Sequence, residues 1–283
     1  MYLSLGNKKV CDEFFTAYPI RNKYEYYLPE MQLFNSENIG GLSLKDIHIY
    51  TEPSYHDCHS DDHRFNTFHC NNVSDNDTAW LLGLELVSLL RGLITIFYGE
   101  KKQRSVRLER MRVAGNPSVK YPNSEFGYEV NIPLDFYQKM GQNLVQNLVC
   151  FERKEYRENA KRNVFSSSLY LAQTNIGLYL ILKYFSEPLT WASLYKIMET
   201  FMTLEKHHDK GWKITYSNTD KSRFSNPANS FSMIGIDSRH GFKADSLKPN
   251  NAPKMDIIEA KEMFIKCAKS YLNFKLDELR KVT

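Results

Sequence analysis

The chain has 283 residues, of which 42% are hydrophobic and 25% charged, and these fractions exclude a disordered or low-complexity protein. Its formal net charge of +4 permits a nucleic-acid partner but is modest for a dedicated nucleic-acid-binding domain. The 5 cysteines are irregularly spaced, which excludes a disulfide framework and favours the reducing cytoplasm.

The N-terminal part is predicted to be mixed α/β. Residues 1–12 contain no long apolar segment, so a signal peptide is not expected. Residues 42–50 place leucine and isoleucine near every second position, which predicts a strand. Residues 105–114 predict another strand, whose apolar positions slip by one residue as a β-bulge requires. Residues 126–132 alternate again and are expected to pair with it.

A long apolar segment at residues 79–99 has about the length of a membrane span. Glu85 and Arg91 interrupt it, and a charged side chain is costly near the centre of a bilayer. The segment therefore predicts a long buried helix and no membrane partner. Asp77 or Thr78 is expected to cap its N-terminus.

The C-terminal part is predicted to be nearly all helical. Helices are expected at 134–159, at 168–185 with Pro188 ending the second, and from Trp191 onward with one apolar face. A polar stretch at 205–251 shows little periodicity.

The final helix is predicted to begin at Asp256, with Glu259 at the spacing of a capping box. These patterns together predict an α+β fold with two domains. Residues 1–134 would form the mixed α/β domain around the buried helix, and residues 135–283 the helical bundle. No long linker separates the two, so they are expected to pack together.

The polar loop before the final helix contains the most promising chemical groups of the chain. Arg239 can hold a phosphate with two hydrogen bonds, and His240 belongs to the residue type most often used to move protons in catalysis. Asp237 could orient the imidazole. An alternative is that Arg239 pairs with Asp237 to fix an irregular loop, with Gly241 in a left-handed turn.

The residues from Trp191 to Phe201, followed by Asn229 and the loop 235–241, resemble the helical half of HEPN-type proteins. Poorly characterised bacterial defence-associated proteins of the ApeA type show a similar arrangement, and the resemblance covers about residues 169–276. It implies a HEPN-like bundle that acts as a homodimer without a cofactor. It also implies that Arg239 and His240 meet RNA, with His240 moving protons at the 2′-hydroxyl and Arg239 stabilising the phosphorane.

The spacing in this loop differs from that of the HEPN pattern. The family places several residues of a helix between its Arg and His, whereas Arg239 and His240 are adjacent. Neighbouring residues of a helix diverge by about 100° around its axis. The resemblance therefore extends more directly to the fold than to the activity.

A basic segment follows the buried helix and is a candidate nucleic-acid contact. Within it, Arg110 and Arg112 would project from one face of a strand and Arg107 from the other, and such side chains could follow a phosphate backbone. Asn229 would add hydrogen bonds from the polar loop. A sheet edge protected by charge explains the same arginines, and we favour that interpretation.

Residues 56–70 are rich in histidine, cysteine and aspartate. His56, Cys58, His59 and His63 are residue types that ligate zinc, but the paired CxxC motif of a structural zinc site is missing. A solvated polar loop accumulates the same residues, and we favour that interpretation over the alternative of a metalloprotein built on residues 56–70.

The functional hypothesis is a cytosolic bacterial protein directed to RNA or associated with nucleic acid. As a HEPN-type component of a phage-defence or toxin-like system, it would be a metal-independent endoribonuclease. The alternative is a non-catalytic dimerisation or scaffolding subunit of a larger complex.

Overall fold

The structure is a computed structural model. It describes residues 23–28, 47–51, 63–71, 73–103, 107–113, 119–120, 157–158, 160–162, 164–242, 248 and 250–281. A small antiparallel sheet belongs to the N-terminal part, and helices make up most of the rest. The α+β fold class is therefore confirmed.

The sheet has the strand order β2-β3-β1-β4-β5, and every pairing in it is antiparallel. The strands are β1 (Tyr24–Leu28), β2 (His48–Thr51), β3 (His63–Asn66), β4 (Arg110–Val113) and β5 (Val119–Lys120). The register aligns Tyr26 with Phe65 on one side and with Met111 on the other. All three side chains are buried, and the Tyr26 and Phe65 rings stack with their centroids 4.6 Å apart. This face of the sheet therefore belongs to the core.

The strand expected at residues 105–114 is shorter than predicted, since β4 begins at Arg110. Leu108 and Met111 are both buried despite their odd spacing, in agreement with the predicted slip in phase. The edge interpretation of this strand is wrong, because β4 lies between β1 and β5. The predicted partner at 126–132 lies outside the described residues.

The described residues contain eight α-helices and a π-helical turn. They are α1 (Asn76–Tyr98), α2 (Glu100–Gln103), α3 (Val164–Ala172), α4 (Ile176–Ser186), α5 (Trp191–Thr203), α6 (Asn218–Asn229), α7 (Phe231–Ile234) and α8 (Ile257–Lys281). The π-helical turn, Leu204–His208, continues α5 directly. Short 3₁₀ turns occur at Phe68–Cys70 and Gly235–Asp237.

Helix α1 is the long buried helix that the sequence predicts. It is long and apolar enough to cross a bilayer, yet 72% of its most apolar window is buried inside the protein, as in a core helix. Asp75, rather than Asp77 or Thr78, is its N-cap, and its carboxylate accepts a hydrogen bond from the Thr78 backbone N–H at 2.7 Å. Glu85 is fully buried and binds Lys183 of α4 at 2.9 Å, which explains how a carboxylate is tolerated there.

One hydrophobic core connects the sheet, α1 and the C-terminal helices. Helix α1 packs along α4 and also contacts α8, so the two predicted parts share their interior. At the crossing, a Cβ atom at Gly92 would collide with the backbone carbonyl of Leu182, which shows how closely α1 and α4 approach. The predicted boundary near 134 lies outside the described residues.

The helix expected at 168–185 is in fact two helices, α3 and α4. The Asn175 side chain interrupts it, because it accepts a hydrogen bond from the Leu178 backbone N–H at 2.8 Å and caps α4. The helix ends at Ser186, before Pro188, as predicted. Most of the helix expected at 134–159 lies outside the described residues.

The polar stretch after α5 contains a helix, α6, which the sequence pattern does not predict. Its buried residues are Phe224, Pro227 and Ala228, too few to form an apolar stripe, and a capping box between Ser217 and Asp220 begins it. The predicted cap of the final helix is confirmed, since Asp256 accepts hydrogen bonds from the backbone N–H groups that follow it.

Candidate functional site

The loop expected to carry the chemistry lies against α5 and α6. These two helices meet through aromatic rings, with Trp191 stacked on Phe224 at 5.6 Å between centroids. After α6, Gly235 adopts φ 62°, a left-handed conformation that favours glycine, and it turns the chain back. The backbone N–H of Arg239 then donates to the Ala228 carbonyl at 2.7 Å. This bond places Arg239 beside the C-terminal end of α6.

Arg239 contacts α5 rather than its own loop. Its guanidinium carbon lies 3.9 Å from the centre of the Tyr195 ring, a cation–π contact. Its Nη1 lies 3.5 Å from a carboxylate oxygen of Glu199, one helical turn further along α5. The side chain remains 36% exposed. Arg239 is therefore held at a defined place on the surface with part of its guanidinium open to solvent.

The interpretation that Arg239 pairs with Asp237 is wrong, because Glu199 takes the place of Asp237 as the acidic partner. Asp237 and His240 are both exposed. Within the described residues, no hydrogen bond or ion pair joins the side chains of Asp237, Arg239 and His240. The left-handed glycine of the loop is Gly235, not Gly241. The loop thus presents its polar groups separately instead of assembling them into a bonded set.

Asn229 is the last residue of α6 and lies close to the Arg239 backbone. Its amide oxygen is buried and accepts no hydrogen bond from any residue that the structure describes. An oxygen in this position faces the protein, so Asn229 is less accessible to a ligand than Arg239 or His240.

The arginines of the basic segment gather on the other side of the sheet from the core face. The guanidinium carbons of Arg110 and Arg112 lie 4.3 and 5.7 Å from the centre of the Tyr27 ring, and that of Arg64 lies 4.6 Å away. Arg112 also pairs with Glu25, and each of these arginines makes further contacts. This face is a concentrated, internally bonded basic layer.

Arg107 lies before β4 and pairs with Glu109 at 3.2 Å, with 60% of its side chain exposed. It is therefore separate from the arginines around Tyr27. Of the predicted nucleic-acid contacts on this segment, Arg107 is the most exposed to solvent, since Arg112 is 21% exposed.

The metal candidates His56, Cys58 and His59 lie outside the described residues, and only the backbone of His63 is described, at the start of β3. Nearby Cys70 is buried, and its Sγ lies 2.9 Å from the Tyr26 hydroxyl. Burial raises the pKa of the Cys70 thiol to about 12, which disfavours the thiolate that a metal requires. Within the described ranges, no group of three or more His, Cys, Asp or Glu side chains could hold a metal ion.

The sequence pattern does not single out Tyr195 and Glu199, the partners of Arg239. By its spacing Tyr195 falls on the apolar face of the helix and Glu199 on the solvated face. Their one-turn spacing is the available signal, because residues four apart on a helix lie beside each other and can hold one guanidinium together.

No known family model matches the chain, and neither the curated proteins nor the solved structures contain a match to it. The groups around Arg239 offer a cation over an aromatic ring and an exposed imidazole on the adjacent residue. Such groups can contact phosphates and stack on bases.

Proposed function

We propose that this protein binds single-stranded RNA at the surface formed by Arg239, His240 and Tyr195. The observation that carries the proposal is the position of the Arg239 guanidinium over the Tyr195 ring, with more than a third of the side chain open to solvent. Single-stranded RNA is recognised chiefly by stacking of bases on aromatic rings and guanidinium planes, together with contacts to phosphates.

The contact with Tyr195 prepares Arg239 for such binding. A free arginine loses side-chain entropy when it binds, whereas a guanidinium already held by a ring and by Glu199 has lost part of that freedom. The face of the guanidinium away from Tyr195 can stack on a base, and the N–H groups not used by Glu199 can donate to a phosphate. His240, on the next residue, adds a second group for the same strand.

The resemblance to HEPN-type proteins extends this proposal. A HEPN-like helical half over residues 169–276 would make the protein a cytosolic, homodimeric component of a bacterial defence or toxin-like system. Arg107, Arg110 and Arg112 would then form a second contact with RNA on the sheet. These assignments rest on the resemblance and on the charge of the residues.

The test is binding of a short fluorescein-labelled single-stranded RNA, measured by fluorescence anisotropy at several salt concentrations. Arg239→Ala is expected to weaken binding about tenfold, since stacking on one base is worth about 1–3 kcal/mol. Arg280→Ala is the matched control, because Arg280 is also exposed and pairs with Asp277 at 3.7 Å. An equal loss in both variants, or no binding by the unmodified protein, would refute the proposal.

Catalysis is tested separately with RNA incubated in EDTA. Degradation that disappears in His240→Ala, with an unchanged melting temperature, would establish a metal-independent ribonuclease. RNA that stays intact at high protein concentration would limit the function to binding. The separation of the Asp237 and His240 side chains supports this second outcome, because a general base is normally oriented by a hydrogen-bonded partner.

A specific observation favours a second candidate, a homodimerisation surface on the same loop. Ile236 is 92% exposed and Phe242 is 62% exposed, and apolar groups that are exposed together on a surface mark sites of protein–protein contact. Light scattering of the unmodified protein and of Ile236→Asp tests this directly. A dimer that becomes a monomer in the variant supports it, and a monomer in both excludes it.

A further inference from the structure

A cleft lies at the C-terminal end of α5, one helical turn beyond Glu199, the acidic partner of Arg239. Its volume is about 770 Å³, which falls in the range of small-molecule sites. The π-helical turn forms one wall, and residues 210–218 with the start of α6 form the other. The cleft is lined by Met202, Glu205, Lys206, Lys210, Lys213, Ile214, Tyr216, Ser217, Asn218 and Lys221.

The charge of this cleft is strongly positive. Four lysines line it, at positions 206, 210, 213 and 221, against a single carboxylate, Glu205. Lys213 lies 3.8 Å from a Glu205 oxygen, and the other three lysines form no ion pair with any described residue. Cations that converge on one concave surface repel each other, and this repulsion is relieved when an anion binds among them.

The walls of the cleft are fixed by contacts behind them. Glu205 accepts a hydrogen bond from the Ile214 backbone N–H at 3.2 Å, which ties the loop to the π-helical turn. Trp212 is buried and donates to the Ser270 hydroxyl at 3.2 Å, and the Tyr216 ring packs edge-on against Phe264 at 5.5 Å. The lysines therefore extend from a rigid frame, as a preformed binding site requires.

One feature of the backbone adds to the site. The π-helical turn is a rare conformation that occurs often at functional sites. Here it brings Glu205 and Lys206 into the cleft.

The lining also contains an apolar portion. Met202 is 37% exposed at the surface of α5, and Ile214 and Tyr216 lie on the opposite wall. The lining therefore has a positively charged part and an apolar part, which match a ligand with several negative charges and a flat, weakly polar group. We propose that the cleft binds a nucleoside di- or triphosphate, with the phosphates among the lysines and the base against Met202, Ile214 and Tyr216.

This site adjoins the surface proposed to bind RNA, because Met202 follows Glu199 by three residues, about 5 Å along the helix. The lysines nevertheless surround a single cleft at the end of α5, whereas an extended RNA strand would need positive charges along a continuous groove. This arrangement favours a single nucleotide over an RNA strand as the ligand of the cleft.

The test is isothermal titration calorimetry of the full chain with ATP, GTP and inorganic tripolyphosphate as separate probes. Met202→Glu and Met202→Gln form a matched pair that differs by one negative charge inside the cleft. Met202→Glu is expected to weaken nucleotide binding by at least about tenfold and Met202→Gln by less than about threefold. Tripolyphosphate alone is expected to bind more weakly than either nucleotide, because it lacks the base.

A second pair controls for charge in general. Lys213→Gln removes a cleft lysine and is expected to weaken binding, whereas Lys266→Gln removes an exposed lysine of α8 outside the cleft and is expected to leave it unchanged. Two results would overturn the proposal. These are no heat of binding at about 1 mM nucleotide, or equal losses of affinity in the two lysine variants.

Discussion

Helix α5 is held in different ways at two places, which we call its exposed end (the stretch from Tyr195 to Glu199 beneath Arg239) and its anchored end (the π-helical turn that follows Thr203). At one end, Arg239 and its loop lie on the helix surface through a cation–π contact, one ion pair and a backbone hydrogen bond. At the other end, the π-helical turn leads to Asp209, which is buried and binds both the Tyr271 hydroxyl and the Lys275 ammonium group at 2.8 Å. The second end is thus anchored in the core through charged groups.

This difference shows where a rigid site can form. The loop with Arg239 has the residue types of a catalytic centre, but only a few surface contacts hold it against the protein. The cleft has surface lysines, but its walls are fixed by the buried contacts that Asp209 and Trp212 make with α8. Preorganised charge depends on the frame as much as on the charged groups themselves.

The largest effect is expected from breaking the buried anchor. Asp209→Ala leaves Lys275 in the core with Glu278 as its remaining partner, and we expect the free energy of unfolding to fall by about 3 kcal/mol. Asp237→Ala, at the exposed end, is expected to change it by less than about 0.5 kcal/mol. Urea denaturation of the two variants measures both values. A similar small change in each would show that the ends are held alike.

The anchored end is also expected to control stability in alkali. Burial raises the pKa of Cys267 from 9.0 to about 11, and burial followed by the contact with Asp209 raises the pKa of Tyr271. A group whose pKa is raised by folding stays protonated to a higher pH in the folded protein than in the unfolded chain. The contribution of Cys267 to the free energy of unfolding is therefore fully present below the unfolded pKa and is lost as pH rises from about 9 through about 11.

Replacing this thiol tests the assignment. Cys267→Ala is expected to flatten the decline of unfolding free energy between about pH 9 and 11, measured by urea denaturation at each pH. Cys70→Ala removes another buried thiol, with a pKa of about 12, and should flatten the curve further. A pH profile identical to that of the unmodified protein in both variants would contradict the burial of these groups.

A smaller effect is expected at the exposed end. A double-mutant cycle of Arg239→Ala and Tyr195→Leu should give a coupling energy of about 0.5–1 kcal/mol, the usual range for an exposed cation–π pair. Thermal or urea denaturation of the two single variants and the double variant supplies the cycle. Additive effects would mean that Arg239 does not rest on Tyr195 in solution.

The smallest perturbation is isotopic exchange, which changes no residue. We expect the backbone amides of 235–242 to exchange with deuterium much faster than those of 204–212, because local opening is easiest where few buried contacts resist it. Hydrogen-exchange mass spectrometry of the intact protein measures both segments. Equal rates of amide exchange in the two segments would show that the loop with Arg239 is held as firmly as the π-helical turn.

Several elements were predictable from local patterns. The apolar run from Ala79 and the three-and-four spacing from Trp191 identified α1 and α5, and Asp256 identified the start of α8. Such signals involve residues within one or two turns of each other, which is why they can be read without knowing the fold. The break at Asn175 was not predicted, because a single capping side chain leaves the apolar periodicity on both sides unchanged. Helix α6 was not predicted, because its three buried residues are too few to form a periodic pattern.

The α+β class, the buried character of α1 and the presence of polar groups around residue 239 all follow from patterns in the sequence. What those groups contact depends on the tertiary structure. It gave Arg239 the partners Tyr195 and Glu199, and it gathered lysines spread over residues 206–221 around one cleft. Distance along the chain explains this difference, because periodicity and capping involve residues that are close together in the sequence. Side chains that are far apart in the sequence meet only through the packing of helices and loops, which no local pattern specifies.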